Sequence, residues 1–235
     1  MNNFINLIEK LFFPWDVCCN GCKSENVYQL GLCKSCFQAL RAPQGNRCEI
    51  CLDKIDTTGL CKACLQKQPD YLRLYCAFTF EDLGRRLIHQ FKFKNKRYLK
   101  HLFAALCADA VPGEVWEKCS LLIPVPLSKK RRRQRGYNQA ELLARELSVR
   151  FQIPVNSSVL YKHEGEKQMA LLNKEERRKN IKGLYDIKGM VNNQTILLID
   201  DIVTTGETLR ACAAQLKKAG AGDIYCLAIA RTDIV

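Results

Sequence analysis

The chain has 235 residues and carries 37 Lys/Arg against 24 Asp/Glu, a formal net charge of +13. That length holds one moderate domain plus a small one, and no run approaches 18 consecutive apolar residues, which excludes a membrane-spanning helix. Residues 1–70 hold eight Lys/Arg and seven Asp/Glu, so the basic excess lies in the remainder, where it would attract phosphate-bearing partners. In chain order, Met1 to Trp15 is apolar on a helical period but contains Glu9 and Lys10 and has no basic leader. It predicts a short amphipathic helix, not a signal peptide, and a cytoplasmic protein is expected.

Fourteen cysteines in a cytoplasmic chain need a reason other than disulfides. Nine fall before residue 65, and eight of those form four Cys-x2-Cys knuckles: Cys19/Cys22, Cys33/Cys36, Cys48/Cys51 and Cys61/Cys64. Four knuckles suffice for two four-thiolate sites, which suit structural zinc because they leave no position open for water. An iron–sulfur cluster also takes thiolates. Spacing alone does not fix which knuckles pair. The stretch Gly31-Leu32-Cys33-Lys34-Ser35-Cys36 returns as Gly59-Leu60-Cys61-Lys62-Ala63-Cys64, and a duplicated unit should carry a whole site. The repeat therefore predicts sequential grouping, with Cys18 a spare or an exchange partner of Cys19. Metal would stand in for a core that about 50 residues seldom build alone. A module over residues 1–70 is expected, with a boundary at Gln66 to Asp70.

Leu72 to Phe80 reads as a strand. Leu83, Leu87, Ile88 and Phe91, then Leu99, Leu102, Phe103 and Leu106, recur at helical spacing and give two amphipathic helices broken near Asn95. Their polar faces carry Lys92, Lys94, Lys96 and Arg97, and a solvated basic face is the plain reading. Leu121 to Leu127 is a short buried strand stopped by Pro124 and Pro126. Six cations, Lys129 to Arg133 and Arg135, follow before a helical pattern over Ala140 to Val149. A strand end followed by a helix start is where a doubly wound sheet places ligands, and pyrophosphate is the natural occupant for Arg132, Arg133 and Arg135. A solvated loop or a nucleic-acid patch centred on Arg131, Lys94 and Arg97 is the other reading. Val155 to Tyr161 reads as a strand, His163 to Met169 as a loop, and Leu172 to Ile181 as a helix.

Thr195 to Ile199 is an apolar, β-branched run suited to a buried parallel strand. Asp200 and Asp201 follow, then Thr204, Thr205, Gly206 and Thr208, then a helical pattern over Leu209 to Lys218. Carboxylates accept hydrogen bonds from vicinal ribose hydroxyls or hold Mg²⁺. Amides at a helix start, with hydroxyls beside them, cradle a phosphate. Acids for a sugar next to amides for its phosphate describe a 5-phosphoribosyl group. Asp223 to Ala230 supplies a last buried strand.

The segment I-L-L-I-D-D-I-V-T-T-G-E-T closely resembles the 13-residue phosphoribosyl pyrophosphate (PRPP) loop of type I phosphoribosyltransferases. That resemblance implies an α/β fold with a central parallel sheet flanked by helices, and PRPP with Mg²⁺ as ligand. It implies ribose contacts for Asp200 and Asp201 and 5′-phosphate contacts for Thr204, Thr205, Gly206 and Thr208. It also implies a lid over the site, with Gln168 and Arg177 as its contacts. The pattern P-V-P-L-x7-R-G-Y-N-Q, with L-I-H-Q-F-K-F upstream and Gln168, Leu172, Arg177 and Asn180 downstream, resembles the ComF/GntX family of bacterial competence proteins. From that family the implied partners are single-stranded DNA and other competence proteins, with no acceptor for the phosphoribosyl group specified.

Overall fold

The computed structural model describes residues 18–163 and 183–233. The N-terminal amphipathic helix, Gln168, Arg177 and the helix expected over Leu172 to Ile181 therefore lie outside the described residues. Two short helices, α1 (Lys34–Ala39) and α2 (Lys62–Gln66), open the described elements. They are followed by β1 (Arg73–Thr79), α3 (Asp82–Phe93), α4 (Leu99–Ala110), α5 (Gly113–Lys118) and β2 (Leu121–Pro124). Next come α6 (Lys129–Arg135), α7 (Gln139–Phe151), β3 (Leu160–Lys162) and β4 (Tyr185–Ile187). The chain closes with β5 (Ile196–Val203), α8 (Glu207–Lys218) and β6 (Ile224–Arg231).

Four strands form one parallel sheet in the order β1-β6-β5-β2, with β3 and β4 as a separate antiparallel pair. The class is α/β, as the sequence predicts. Near-continuous apolar runs in β5 and β6 are what a parallel sheet covered on both faces requires. With side chains alternating at period two, Leu197, Ile199, Leu227 and Ile229 enter the core beneath α3, α4 and α7. Ile196, Leu198, Ile224 and Cys226 enter the opposite core with Leu209, Cys212 and Leu216 of α8. Each fully buried Leu or Ile contributes about 1.5–3 kcal/mol, so the sheet's centre is its most expensive place to alter. The five single cysteines, at 76, 107, 119, 212 and 226, are buried, and burial pushes the thiols of Cys107, Cys212 and Cys226 well up. They are packing residues.

The cysteine units repeat in backbone detail. Lys23 N–H donates to Cys19 O and Leu52 N–H to Cys48 O, both at 2.9 Å, and Lys23 and Leu52 share positive φ of 70° and 59°. Cys33 and Cys61 then serve as the N-caps of α1 and α2. Both units are built into the body of the protein. Cys19, Cys33 and Cys36 belong to the core beneath α3, where Tyr98 Oη donates to Asn20 Oδ1 at 2.8 Å. The second unit is tied by Arg231–Asp53 at 2.9 Å, by the Arg47–Asp233 pair, and by Arg210, which reaches Cys64 Sγ at 3.0 Å. The outer edge of β1 is closed: Leu74 N–H donates to Ile50 O and Thr79 N–H to Arg41 O. An open edge strand is an aggregation template, and here the second cysteine unit and the segment between the two units cover it.

Three segments depart from the sequence reading. Lys129 to Arg135 is a helix, α6, because Ser128 Oγ accepts the Arg131 N–H at its start and Gly136 ends it in the left-handed region at φ 76°. Val155 only bridges Leu122, and the strand expected over Val155 to Tyr161 shrinks to β3. Asn156 Oδ1 accepts the amides of Ser158 and Val159 there, offering the backbone a turn in place of a ladder. Finally, β5 runs past the acids to Val203, because β6 stays paired with it through Val203↔Arg231.

Candidate functional site

The site arises from unequal strand lengths. β2 pairs with β5 only as far as Pro124↔Ile199, while β5 continues four residues further. The prolines end β2, and the gap beside residues 200–203 becomes a cavity of about 350 Å³ at the carboxyl end of the sheet. That volume lies within the usual range of small-molecule sites, at the position where open α/β sheets bind ligands.

Successive residues on a strand point to opposite faces, so the neighbouring acids meet different surroundings. Asp201 faces the helix layer: Lys92 Nζ, from α3, lies 2.9 Å from Oδ1 and Arg135 Nη1, from α6, lies 3.7 Å from Oδ2. Asp200 faces β3, β4 and α8. Its Oδ1 accepts the Asp201 N–H at 2.8 Å, and burial, followed by the charge of Asp201, pushes its carboxyl up to about 7. Lys92 and Lys162 oppose that rise. Lys162 Nζ donates to Tyr185 Oη at 3.0 Å, and Tyr185 also hydrogen-bonds Thr208, so the far wall is a polar network.

Beyond the acids the chain turns at Thr204 to Gly206 into α8. Gly206 is the N-cap, with φ 76°, a conformation that costs other residues about 1–2 kcal/mol. Thr204, Thr205 and Thr208 line the cavity, and Thr205 Oγ1 accepts the Glu207 N–H at 3.5 Å. The hydroxyls, the start of a 12-residue helix and the acids therefore share one concavity. Such a helix start favours an anion.

Of the cations named from sequence, α6 sorts them by its period. Arg131 and Arg135, one turn apart, line the cavity. Arg132 extends towards Glu141 at 3.9 Å, and Arg133 is exposed outside the lining. Lys94 and Arg97 are exposed at the corner between α3 and α6, where the Arg97 guanidinium stacks 4.6 Å from the Tyr137 ring centre. Sequence reasoning missed Lys92, Lys162 and Tyr185. Lys92 carried a signal: it lies four residues after buried Ile88, at the margin of the apolar stripe, not on the outer face of α3. Lys162 and Tyr185 reach the site only through the pairing of β3 with β4, which no local pattern announces.

The thiol sulfurs of Cys19, Cys22, Cys33 and Cys36 all lie within 4.8 Å of one another, as do those of Cys48, Cys51, Cys61 and Cys64. This is the sequential grouping that the repeat predicts, and Cys18 stands outside both groups. Four convergent thiols fit a tetrahedral zinc ion. No helix among the described residues is long and apolar enough to cross a membrane.

Residues 133–232 match the family model described as a phosphoribosyl transferase domain. The chain is 28% identical over 222 residues to competence protein F of Haemophilus influenzae, covering 91% of this chain and 96% of the relative. It is 29% identical over 196 residues to competence protein ComFC of Bacillus subtilis, covering 80% and 79%. The DNA utilization protein YhgH of Escherichia coli K12 is 27% identical over 209 residues, covering 86% and 91%. Among solved structures, a purine phosphoribosyltransferase from Pyrococcus horikoshii is similar at 19% identity and a TM-score of 0.36, covering 59% of this chain and 87% of that one.

Proposed function

We propose, from the premise that the chain is a relative of competence proteins F and ComFC and carries a phosphoribosyl transferase domain, that it binds PRPP in the cavity at the end of β5. We further propose that its basic surface engages single-stranded DNA in the cytoplasm during natural transformation. The observation that carries the reading is the convergence of Asp200, Asp201, the Thr204–Thr208 turn and Arg135 on one concavity. The acids accept the ribose hydroxyls, the turn and the start of α8 hold the 5′-phosphate, and Arg131 and Arg135 face the pyrophosphate. Mg²⁺, when bound, screens the diphosphate charge. Asp200 is the acid left for it, because both oxygens of Asp201 already face cations.

An active phosphoribosyltransferase in nucleotide metabolism is the second reading. Transfer breaks the C1–O bond of the ribose to pyrophosphate as a nucleophile attacks C1, through an oxocarbenium-like transition state. The chain's residues would contribute positioning and charge stabilisation of the departing diphosphate. Pyrophosphate released from PRPP on adding nucleobases or ammonia, and abolished in the double variant Asp200→Asn, Asp201→Asn, selects the enzyme. Binding without release selects the binding protein.

The DNA half has its own test. Arg131, Arg132 and Arg133 are exposed, as is Phe93, whose ring centre lies 5.1 Å from the guanidinium of Arg135 on the same helix as the three arginines. Cations with an exposed aromatic suit a single strand. Replacing the three arginines by Ala should flatten the slope of log affinity against log salt by about 2, at roughly 0.7 for each phosphate no longer neutralised. A slope near zero in the parent protein removes the DNA reading.

A further inference from the structure

Both oxygens of Asp201 face a cation, but the two cations are held differently. Arg135 is fixed on several sides: its Nη1 also donates to Gln139 Oε1 at 3.0 Å, and its guanidinium lies over Phe93. Lys92 stands one residue from the end of α3, on a flexible four-carbon stem with a rotatable ammonium, 2.9 Å from Asp201 Oδ1. It lies outside the residues matched by the phosphoribosyl transferase family model. A carboxylate beneath an ammonium is a weakened acceptor for a sugar hydroxyl. Pulling the ammonium off without giving it another anion would leave a partly buried charge uncompensated.

We infer that Lys92 is a specificity-determining latch: it holds Asp201 until a diphosphate draws the ammonium away, so the cavity selects a diphosphorylated pentose over one bearing a 5′-phosphate alone. The inference rests on the phosphoribosyl reading of the cavity and adds to it. A 5′-phosphate at the Thr204–Thr208 turn leaves Lys92 on Asp201, and the ribose hydroxyls must compete with it. A diphosphate facing Arg131 and Arg135 offers Lys92 a second anion. The exchange keeps every charge paired and frees Asp201 Oδ1 for the sugar. Diphosphate and sugar sites are thereby coupled, each tightening the other by the same factor.

The sign of that coupling is the test. Two anions in one cavity repel, so without the exchange inorganic pyrophosphate should weaken ribose 5-phosphate binding. The full-length protein is titrated calorimetrically with ribose 5-phosphate in magnesium-free buffer, with and without pyrophosphate, since a divalent cation bridging the two ligands would couple them by itself. Pyrophosphate should tighten ribose 5-phosphate about ten-fold, within the common range of coupling factors. In Lys92→Met, which keeps the stem and removes the charge, ribose 5-phosphate alone should bind more tightly than in the parent, and pyrophosphate should no longer help. If both ligands bind the parent but pyrophosphate leaves ribose 5-phosphate unchanged or weaker, the latch is overturned and the phosphoribosyl site stands. Tightening that persists undiminished in Lys92→Met overturns the assignment to Lys92. Binding of neither ligand overturns both readings together.

Discussion

Replacing Asp200 by Asn should stabilise the protein while it removes one of the two acids. Burial, and after it the charge of Asp201, pushes the Asp200 carboxyl up to about 7, whereas an unfolded chain titrates it at about 3.9. Between those values the folded protein holds a proton that the unfolded chain has released. The stability contributed by this group is therefore fully present below about pH 4 and declines as the pH rises through about 7. At about 1.4 kcal/mol per pH unit, the separation corresponds to at most about 4 kcal/mol. The attractions of Lys92 and Lys162 are already contained in that value, and solvent entering the half-buried cavity brings the figure to about 2 kcal/mol. Asn has the same shape and keeps an oxygen for the Asp201 N–H, but it never ionises. At pH 8 the variant should melt about 4–8 °C above its parent, and the gap should narrow towards pH 5. Scanning calorimetry of the pair at both pH values gives the answer, with the difference cancelling any loss of thiolate-bound metal common to the two. A variant that melts lower at pH 8, or a gap of equal size at both pH values, refutes the buried-charge reasoning.

Other outcomes follow from the same geometry. The purified protein should contain two zinc ions per chain by elemental analysis; Cys19→Ser should leave one, and Cys18→Ser should leave two, because Cys18 stands outside both thiol groups. Gly206→Ala meets no atom closer than 3.9 Å, so its penalty is backbone strain at φ 76°, about 1–2 kcal/mol. It should lower the melting temperature by a few degrees and weaken ligands at the turn, and an unchanged melting temperature would show that the turn tolerates side chains. Removing residues 1–70 uncovers the Leu74 and Thr79 amides of β1. The truncated chain should self-associate in light scattering, and a monomer as stable as the full chain would contradict the edge-covering role of the cysteine units.

Much of this architecture could be read from local pattern. The apolar runs of β5 and β6, the helical stripes of α3 and α4, the break at Asn95 and the cysteine repeat are all signals carried by contiguous residues. They reappear where a buried strand, an amphipathic helix or a duplicated four-thiol unit requires them. What escaped was either masked by composition or non-contiguous. The cation-rich stretch after β2 looks like a loop by composition, and only the Ser128 and Gly136 caps reveal the helix that turns Arg131 and Arg135 inward and Arg132 and Arg133 outward. Lys92 looks like one of many surface cations until the sheet brings Asp201 within 2.9 Å of it. The covering of β1 by the second cysteine unit and the segment between the two units depends on how distant segments pack, and spacing is silent on that.

In the proposed reading, Asp200 and Asp201 receive the sugar of a ligand whose 5′-phosphate rests on the Thr204–Thr208 turn. Calorimetric titration of the intact protein with PRPP and Mg²⁺ tests this most directly, run beside the double variant Asp200→Asn, Asp201→Asn. One PRPP per chain should bind the parent saturably, and the variant should lose at least ten-fold in affinity, about 1.4 kcal/mol or more. No heat with the parent, or equal affinity in the two proteins, would contradict it.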